Sequence, residues 1–280
     1  MDTDFSRWIG RTEQVHDPLS WVQAQAAQAM LDEPGAPLAD GDALPLPWHW
    51  FHFLPRAGQA ALDADGHPHR GGFLPPIPYP RRMFAGARMQ VHRPLRVGVP
   101  ALREGCIRDV VMKSGKTGAL AFVTVAYRFL QDGVLCLEEE QDIVYREPGA
   151  AVPAPVQAVL LPPPDGCWSR TLQPDTRLLF RFSALTFNAH RIHYDRAYAV
   201  EVEGYPGLVV HGPLTAVLLL QLVRQATPRP VAAFSFRGVA PLFDLGPMRL
   251  LGRPANDGVA LEAQGPDGAV ALTATCKWGA

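Results

Sequence analysis

Between Gly86 and Tyr145 apolar and polar residues alternate in runs that predict β-strands over Gly86–His92, Leu102–Lys113, Ala119–Leu130 and Val134–Tyr145. Lys113-Ser-Gly-Lys-Thr-Gly118 and Gln131-Asp-Gly133 between them are turn chemistry, so the region reads as an antiparallel meander. Upstream, Asp17 followed by Pro18 predicts a helix start, with the helix running to about Leu31 and Pro34-Gly35 ending it. Its inner face is expected to carry Trp21, Val22, Ala26, Ala29 and Met30. A proline- and glycine-rich connection over 33–47, an aromatic cluster at Trp48–Phe53, a flexible stretch from Gly66 to Gly72 and a rigid Pro75-Pro-Ile-Pro-Tyr-Pro80 lead into the meander.

The second half follows a different pattern. After a proline-rich linker over 148–164 come a strand at Thr176–Phe182, a polar segment, and a helix from Pro213 to about Gln225. Strands are then expected at Val231–Val239, Pro247–Pro254, Val259–Gln264 and Ala269–Lys277. The helix is apolar on nearly every side, through Leu214, Val217, Leu218, Leu219, Leu220, Leu222 and Val223, so something must wrap it. A buried helix followed by an antiparallel sheet is the hotdog arrangement. Each half presents a helix before strands. The expected class is therefore α+β, a double hotdog, with one unit over 1–147, a linker over 148–164 and a second unit over 165–280.

Composition narrows the function. About half of the 280 residues are apolar, enough for a sizeable core, and the net charge is −1 without a long basic or acidic run. Nucleic acid and anionic membranes are thus not implied as partners. The N-terminus lacks a basic region followed by an apolar one, and the run Leu214–Val223 is far short of a membrane span. Cys106, Cys136, Cys167 and Cys276 are scattered, as expected of buried thiols in a reducing cytoplasm.

The chemistry concentrates in Phe182-Ser-Ala-Leu-Thr-Phe-Asn-Ala-His-Arg-Ile-His-Tyr-Asp195 and in Gly207-Leu-Val-Val-His-Gly-Pro-Leu214. One amide and two imidazoles (Asn188, His190, His193) stand in an apolar context, costly to build as mere core. Imidazoles exchange protons near neutral pH, and a helix N-terminus at Gly212-Pro213 can hold an oxyanion. Water addition to an enoyl thioester needs both. Positions five apart do not meet on a regular helix, so if Asn188 and His193 act together the chain must turn between them, before a helix near Asp195. Asp195 reads as the cap of that helix. His190, His193 and His211 could suggest a metal site, but no cysteine or carboxylate follows at ligand spacing, and no metal is expected. His190 is read as a substrate contact or a solvent-facing residue, and His211 as a substrate contact or support. Arg81 and Arg82, beside Tyr79 after the rigid prolines, could grip a free carboxylate, a role for which Arg191 competes. The phosphates of coenzyme A are the alternative partners for Arg81, Arg82, Lys113 and Lys116.

The second-half motif resembles the signature of (R)-specific enoyl-CoA hydratases and MaoC-like dehydratases, whose catalytic pair is an aspartate and a histidine five residues later. The histidine matches His193, and the aspartate's place falls on Asn188. Val210-His-Gly-Pro-Leu214 is similar to their helix start, which implies a thioester-binding amide at Gly212. Pro75-Pro-Ile-Pro-Tyr-Pro-Arg-Arg-Met83, Gly118-Ala-Leu-Ala-Phe-Val-Thr-Val125 and Glu140-Gln-Asp-Ile-Val-Tyr-Arg146 resemble the FAS1-like dehydratase domain of type 2 hydroxyacyl-thioester dehydratases. Within that family the resemblance is to the mesaconyl-C4-CoA (3-methylfumaryl-CoA) and itaconyl-CoA hydratases. It implies reversible hydration of a branched dicarboxylic enoyl-CoA, with coenzyme A as part of the substrate and no other cofactor. A two-hotdog chain can stand alone, but pairing through sheet edges makes a homodimer the expectation. The alternatives are a (3R)-hydroxyacyl-thioester dehydratase of fatty-acid synthesis, a hotdog thioesterase, and a non-catalytic acyl-CoA-binding subunit. Asn188 cannot take a proton, so either His193 serves alone or Asp195, Glu138, Glu139, Glu140 or Asp142 assists.

Overall fold

A computed structural model describes residues 4–115, 118–149, 151–158 and 161–279. Ten antiparallel strands form one sheet: β1 (Thr12–Asp17), β2 (Arg81–Val91), β3 (Ala101–Gly115), β4 (Gly118–Gln131), β5 (Val134–Arg146), β6 (Trp168–Leu172), β7 (Val231–Gly238), β8 (Met248–Pro254), β9 (Gly258–Gln264) and β10 (Val270–Trp278). Their spatial order is β1-β3-β4-β5-β2-β7-β10-β9-β8-β6. The helices are α1 (Trp21–Met30), α2 (Thr176–Leu185) and α3 (Gly212–Ala226). The fold is a double hotdog, as the alternating runs and the apolar helix predicted.

The meander β3-β4-β5-β2 forms because its residues alternate. Along β4, Ala121, Val123, Val125, Tyr127 and Phe129 are buried while their neighbours are more open. The two halves join where β2 pairs with β7, from Gly86↔Arg237 to Gln90↔Ala233. Gly86 is required there, since a Cβ would lie 2.4 Å from the Phe236 carbonyl oxygen. Of the hairpin at Lys113–Gly118, Lys116 and Thr117 lie outside the described residues, and Lys113 rests over the Phe122 ring.

In the second half the sheet lies against α3, whose residues Leu214 to Val223 are all buried. Each buried Leu or Val contributes about 1.5–3 kcal/mol. Its one buried amide, Gln221, is satisfied at both ends, donating to the Leu31 carbonyl (2.8 Å) and accepting from Arg170 (2.6 Å). In the first half the aromatic turn Trp48–Phe53 fills the inside: His49 and Phe53 rest on Phe129, at ring distances of 4.8 and 5.3 Å. Helix α1 packs on that turn and on α2.

Four local expectations are corrected. Thr176–Phe182 is helix α2, not a strand: the Asp175 carboxylate caps it at the Leu178 amide (2.9 Å), and Leu179, Phe182 and Ser183 form its buried stripe. The strand of that region is β6, and β1 also escaped prediction. Helix α1 starts at Trp21 under a Ser20 cap, because Asp17 is taken by the amides of Leu19 and Phe53, each at 2.9 Å. The face of α1 is consequently rotated: Ala24, Ala27 and Met30 are buried, while Trp21 and Val22 face solvent. Among the described residues no helix is long and apolar enough to cross a membrane.

Candidate active site

The polar segment is folded by its own backbone. Helix α2 ends at Thr186, and Phe187 takes a left-handed conformation (φ 50°) that reverses the chain. The Asn188 amide then donates to the Ser183 carbonyl (2.8 Å), and its side-chain oxygen accepts from the His190 amide (3.0 Å). A 3-10 turn over Arg191–His193 follows, and the Asp195 carboxylate caps the next helical turn at the Tyr198 amide (3.1 Å). The chain turns between Asn188 and His193, as joint action of the two would require, and Asp195 has its expected structural role.

His193 is buried, with Nδ1 only 2.7 Å from the Val209 carbonyl oxygen. A carbonyl only accepts, so Nδ1 carries the hydrogen and Nε2 keeps its lone pair. The ring stacks on His211 at 3.6 Å, and His211 Nε2 lies 2.8 Å from the Ser183 hydroxyl. His190 stands perpendicular to His193 at 5.3 Å. Burial pushes His193 down to about 4, against the opposing pull of the Val209 hydrogen bond. Burial likewise holds His190 and His211 below the ordinary imidazole value. At neutral pH these rings are therefore uncharged proton acceptors.

A loop from the first half closes on this segment. Gly66 (φ +92°) sits so tightly on the Ala189 carbonyl that a Cβ would lie 1.7 Å from its oxygen. The Arg191 amide donates to the Asp65 carbonyl (2.9 Å), and the Arg191 guanidinium donates to the Ala64 carbonyl (3.1 Å). The stretch from Gly66, expected to be flexible, is pinned at this end. It brings His67 to 4.0 Å from His190, ring to ring, with the Asp65 carboxylate 3.1 Å from His67 Nδ1. Burial pulls His67 below its ordinary value, partly offset by the Asp65 hydrogen bond. Asp65, His67 and His190 offer three donor atoms within 4.8 Å of one another, the only spacing for a metal ion among the described residues. That carboxylate, however, already accepts the His67 backbone amide (2.8 Å) as well as its ring. Sequence reasoning missed both residues; Asp-Gly-His-Pro-His is turn chemistry, and only its histidines hint at more.

All of this opens on a cavity of about 1440 Å³ walled by both halves, including Asn188, His190, His193, His211 and Gly212. Gly212 begins α3, and a Cβ there would meet only the Phe84 carbonyl at an ordinary 3.6 Å. The arginines divide. Arg82 is on the cavity wall and has no ion-pair partner among the described residues. Arg146, also on the wall, has a buried Nε without a partner. Arg81 instead pairs with Glu203 (3.1 Å) and donates to its carbonyl (2.6 Å), off the wall, because adjacent strand residues face opposite sides. Tyr79 also lies off the wall and gives its carbonyl to Arg70 (2.7 Å). Arg191 is held by Asp195 (2.8 Å) and lies over the Tyr198 ring, likewise off the wall. The expected substrate contacts of Arg81, Tyr79 and Arg191 are thus not seen.

The carboxylates expected to assist are elsewhere. Glu138 pairs with His92, Glu140 and Asp142 with Arg88, and buried Glu139 with His49 (2.8 Å) and Trp50 (3.0 Å). None of them lines the cavity. The carboxylate beside the imidazoles is Asp65.

Such a site on such a fold is that of a hotdog hydratase or dehydratase, and known proteins agree. Residues 47–244 match the family described as hydroxyacyl-thioester dehydratase type 2. The chain is 66% identical over 277 residues to mesaconyl-C(4)-CoA hydratase of Chloroflexus aurantiacus, covering 99% of this chain and 98% of that protein. It is 27% identical over 230 residues to the mitochondrial hydroxyacyl-thioester dehydratase type 2 of Schizosaccharomyces pombe, covering 72% and 75% of the two chains. A solved MaoC-like dehydratase superposes with a TM-score of 0.71 at 14% identity, covering 98% of this chain and 99% of that one. The chain belongs to the type 2 hydroxyacyl-thioester dehydratase family and is a hydro-lyase.

Proposed function

We propose that this enzyme reversibly adds water across the C=C bond of a small branched dicarboxylic enoyl-CoA, mesaconyl-C4-CoA or its isomer class. The near full-length identity to the Chloroflexus hydratase supports the acyl group. Arg82, a cation on the cavity wall without an acidic partner, is suited to the free carboxylate, and Arg146 to the same charge or to a coenzyme A phosphate. Arg81 is assigned a structural role.

The observation that carries the reading is the tautomer of His193, fixed by Val209, in the same cavity that the N-terminus of α3 lines. Nε2 takes a proton from water as the water oxygen bonds to Cβ. The π electrons move through Cα onto the thioester oxygen, where the Gly212 amide and the positive helix end stabilise the charge. The imidazolium then returns the proton to Cα on the same face. Asn188 spends its side-chain oxygen on the His190 amide, which leaves its NH2 group to orient water or substrate. The chemistry needs no metal or redox group. A cytoplasmic location and a homodimer complete the proposal; end strands β1 and β6 offer unpaired edges for pairing.

The test is ultraviolet absorbance of the enoyl-thioester band. Mesaconyl-C4-CoA should be consumed far faster than crotonyl-CoA. A preference for long uncharged acyl chains would instead select the fatty-acyl dehydratase reading, and no consumption of any enoyl-CoA would leave only a binding subunit.

A further inference from the structure

We infer that Asp65 and His67 form a carboxylate–imidazole dyad that holds the second hydrogen of the attacking water, the task a carboxylate at position 188 would otherwise perform. The inference rests on the hydratase reading above. Its basis is geometric. The Asp65 carboxylate accepts both the His67 backbone amide (2.8 Å) and His67 Nδ1 (3.1 Å). The ring hydrogen is thereby placed on Nδ1, and Nε2 keeps a lone pair. His67 lines the cavity, whereas Asp65 lies behind it, off the wall. Val209 imposes the same tautomer on His193 from the opposite chain segment. Two imidazoles lining one cavity thus each keep an acceptor nitrogen, and the His190 ring touches both, 4.0 Å from His67 and 5.3 Å from His193.

A water has two O–H bonds, and two acceptors can hold both. One O–H points to His193 Nε2, which takes that proton. The other stays hydrogen-bonded to His67 Nε2 throughout and becomes the hydroxyl of the product. An oxygen lone pair is then aimed at Cβ, and the proton on His193 returns to Cα, so one water is added with nothing left over. Asn188 is a poorer holder than a carboxylate: its oxygen already accepts from the His190 amide and carries no charge. Asp65 acts only through His67 and is a positioning residue.

The loop is built for the purpose. Gly66 is the one residue that fits against Ala189, and the loop closes on itself through the Asp63 amide to the His67 carbonyl (2.8 Å) and the Gly66 amide to the Asp63 carbonyl (2.9 Å). Its position is consequently set by the segment that carries His193.

Two substitutions test the dyad. His67→Ala should lower kcat by about 100-fold with KM little changed. Asp65→Asn keeps the acceptor for the His67 backbone amide but turns an NH2 group toward Nδ1. The ring hydrogen must then move to Nε2, so kcat should fall at least about tenfold while melting temperature holds. Nitrogen NMR of His67 should report the tautomer switch, which a merely structural role would not produce. If His67→Ala fails to fold, Asp65→Asn decides alone. Both variants at parental kcat, with His193→Ala inactive, would overturn the dyad and leave the hydratase reading standing. An active His193→Ala would instead sink that reading. Loss of parental activity on chelation, restored by zinc, would also overturn the dyad, by making Asp65, His67 and His190 metal ligands.

Discussion

The two pieces of chain that meet at the cavity are built in opposite ways. The segment from Thr186 to Asp195 is shaped by contacts within itself: the left-handed Phe187, the Asn188 side chain on the His190 amide, and the Asp195 cap. The loop from Asp63 to His69 has internal hydrogen bonds too, but its place is set from outside, by Gly66 on Ala189 and by Arg191 on Asp65 and Ala64. One is a local motif that would be recognised in isolation. The other becomes part of a site only when the halves come together. The difference teaches that a missing catalytic group in a motif is best sought among what packs on that motif.

The largest expected effect strikes the self-shaped segment. His193→Ala should lower kcat by about a thousandfold or more while the far-ultraviolet spectrum stays native, since the ring is the sole proton carrier in the proposed cycle. Parental turnover would remove the local motif from the chemistry altogether.

Next, Gly66→Ala attacks the junction between the two pieces. A Cβ inside the Ala189 carbonyl, at positive φ, should cost on the order of 2 kcal/mol or more and displace His67, so thermal unfolding and kcat should fall together. Gly133→Ala is the control: it also has positive φ (+74°) but nothing within 4 Å. It should cost only about 1 kcal/mol and leave kcat alone. Equal behaviour of the two would mean that the loop is not seated as described.

Arg82→Ala should weaken mesaconyl-C4-CoA by about 2 kcal/mol in kcat/KM, some thirtyfold, with crotonyl-CoA nearly unaffected. Arg81→Ala should instead cost stability, through the loss of Glu203's partner, and treat both substrates alike. A substrate-selective effect at Arg81 would reverse the assignment.

A last effect concerns pH and touches stability without touching the comparison of substrates. A histidine whose folded value lies below its unfolded one binds its proton more readily when unfolded. Stability from His193 is therefore complete above about pH 6.5 and is lost as pH falls toward 4, amounting to roughly 3 kcal/mol. Denaturant melts across that window should show the decline, and His193→Gln should flatten it in part.

How much of this was legible varies with the range of the forces involved. Strands β3, β4 and β5 were read to within two residues because burial of one face imposes strict alternation, and α3 because a helix apolar all round must be enclosed; β2 begins at Arg81, five residues before the predicted Gly86, because its pairing with β5 extends the strand back to Arg81↔Arg146. Helix α2 was misread: Leu178, Phe180 and Phe182 alternate like a strand, and only the Asp175 cap breaks the tie. The phase of α1 was missed because Asp17, a good cap by sequence, is held by the distant Phe53 amide. Arg81 and Arg82 could not be told apart, since strand parity decides which one faces the cavity and that parity depends on pairing with β5.

Taken alone, the residues from 182 to 214 settled the kind of chemistry, because imidazoles, a turn and a helix start are close in the chain and need few distant contacts to assemble. Everything that required two remote segments to touch was left to the tertiary structure: which arginine looks inward, which carboxylates are already spent, and that Asp65 and His67 stand beside His190. The physical reason is that hydrogen bonds and steric fit act over a few ångströms of space, whatever the separation along the chain.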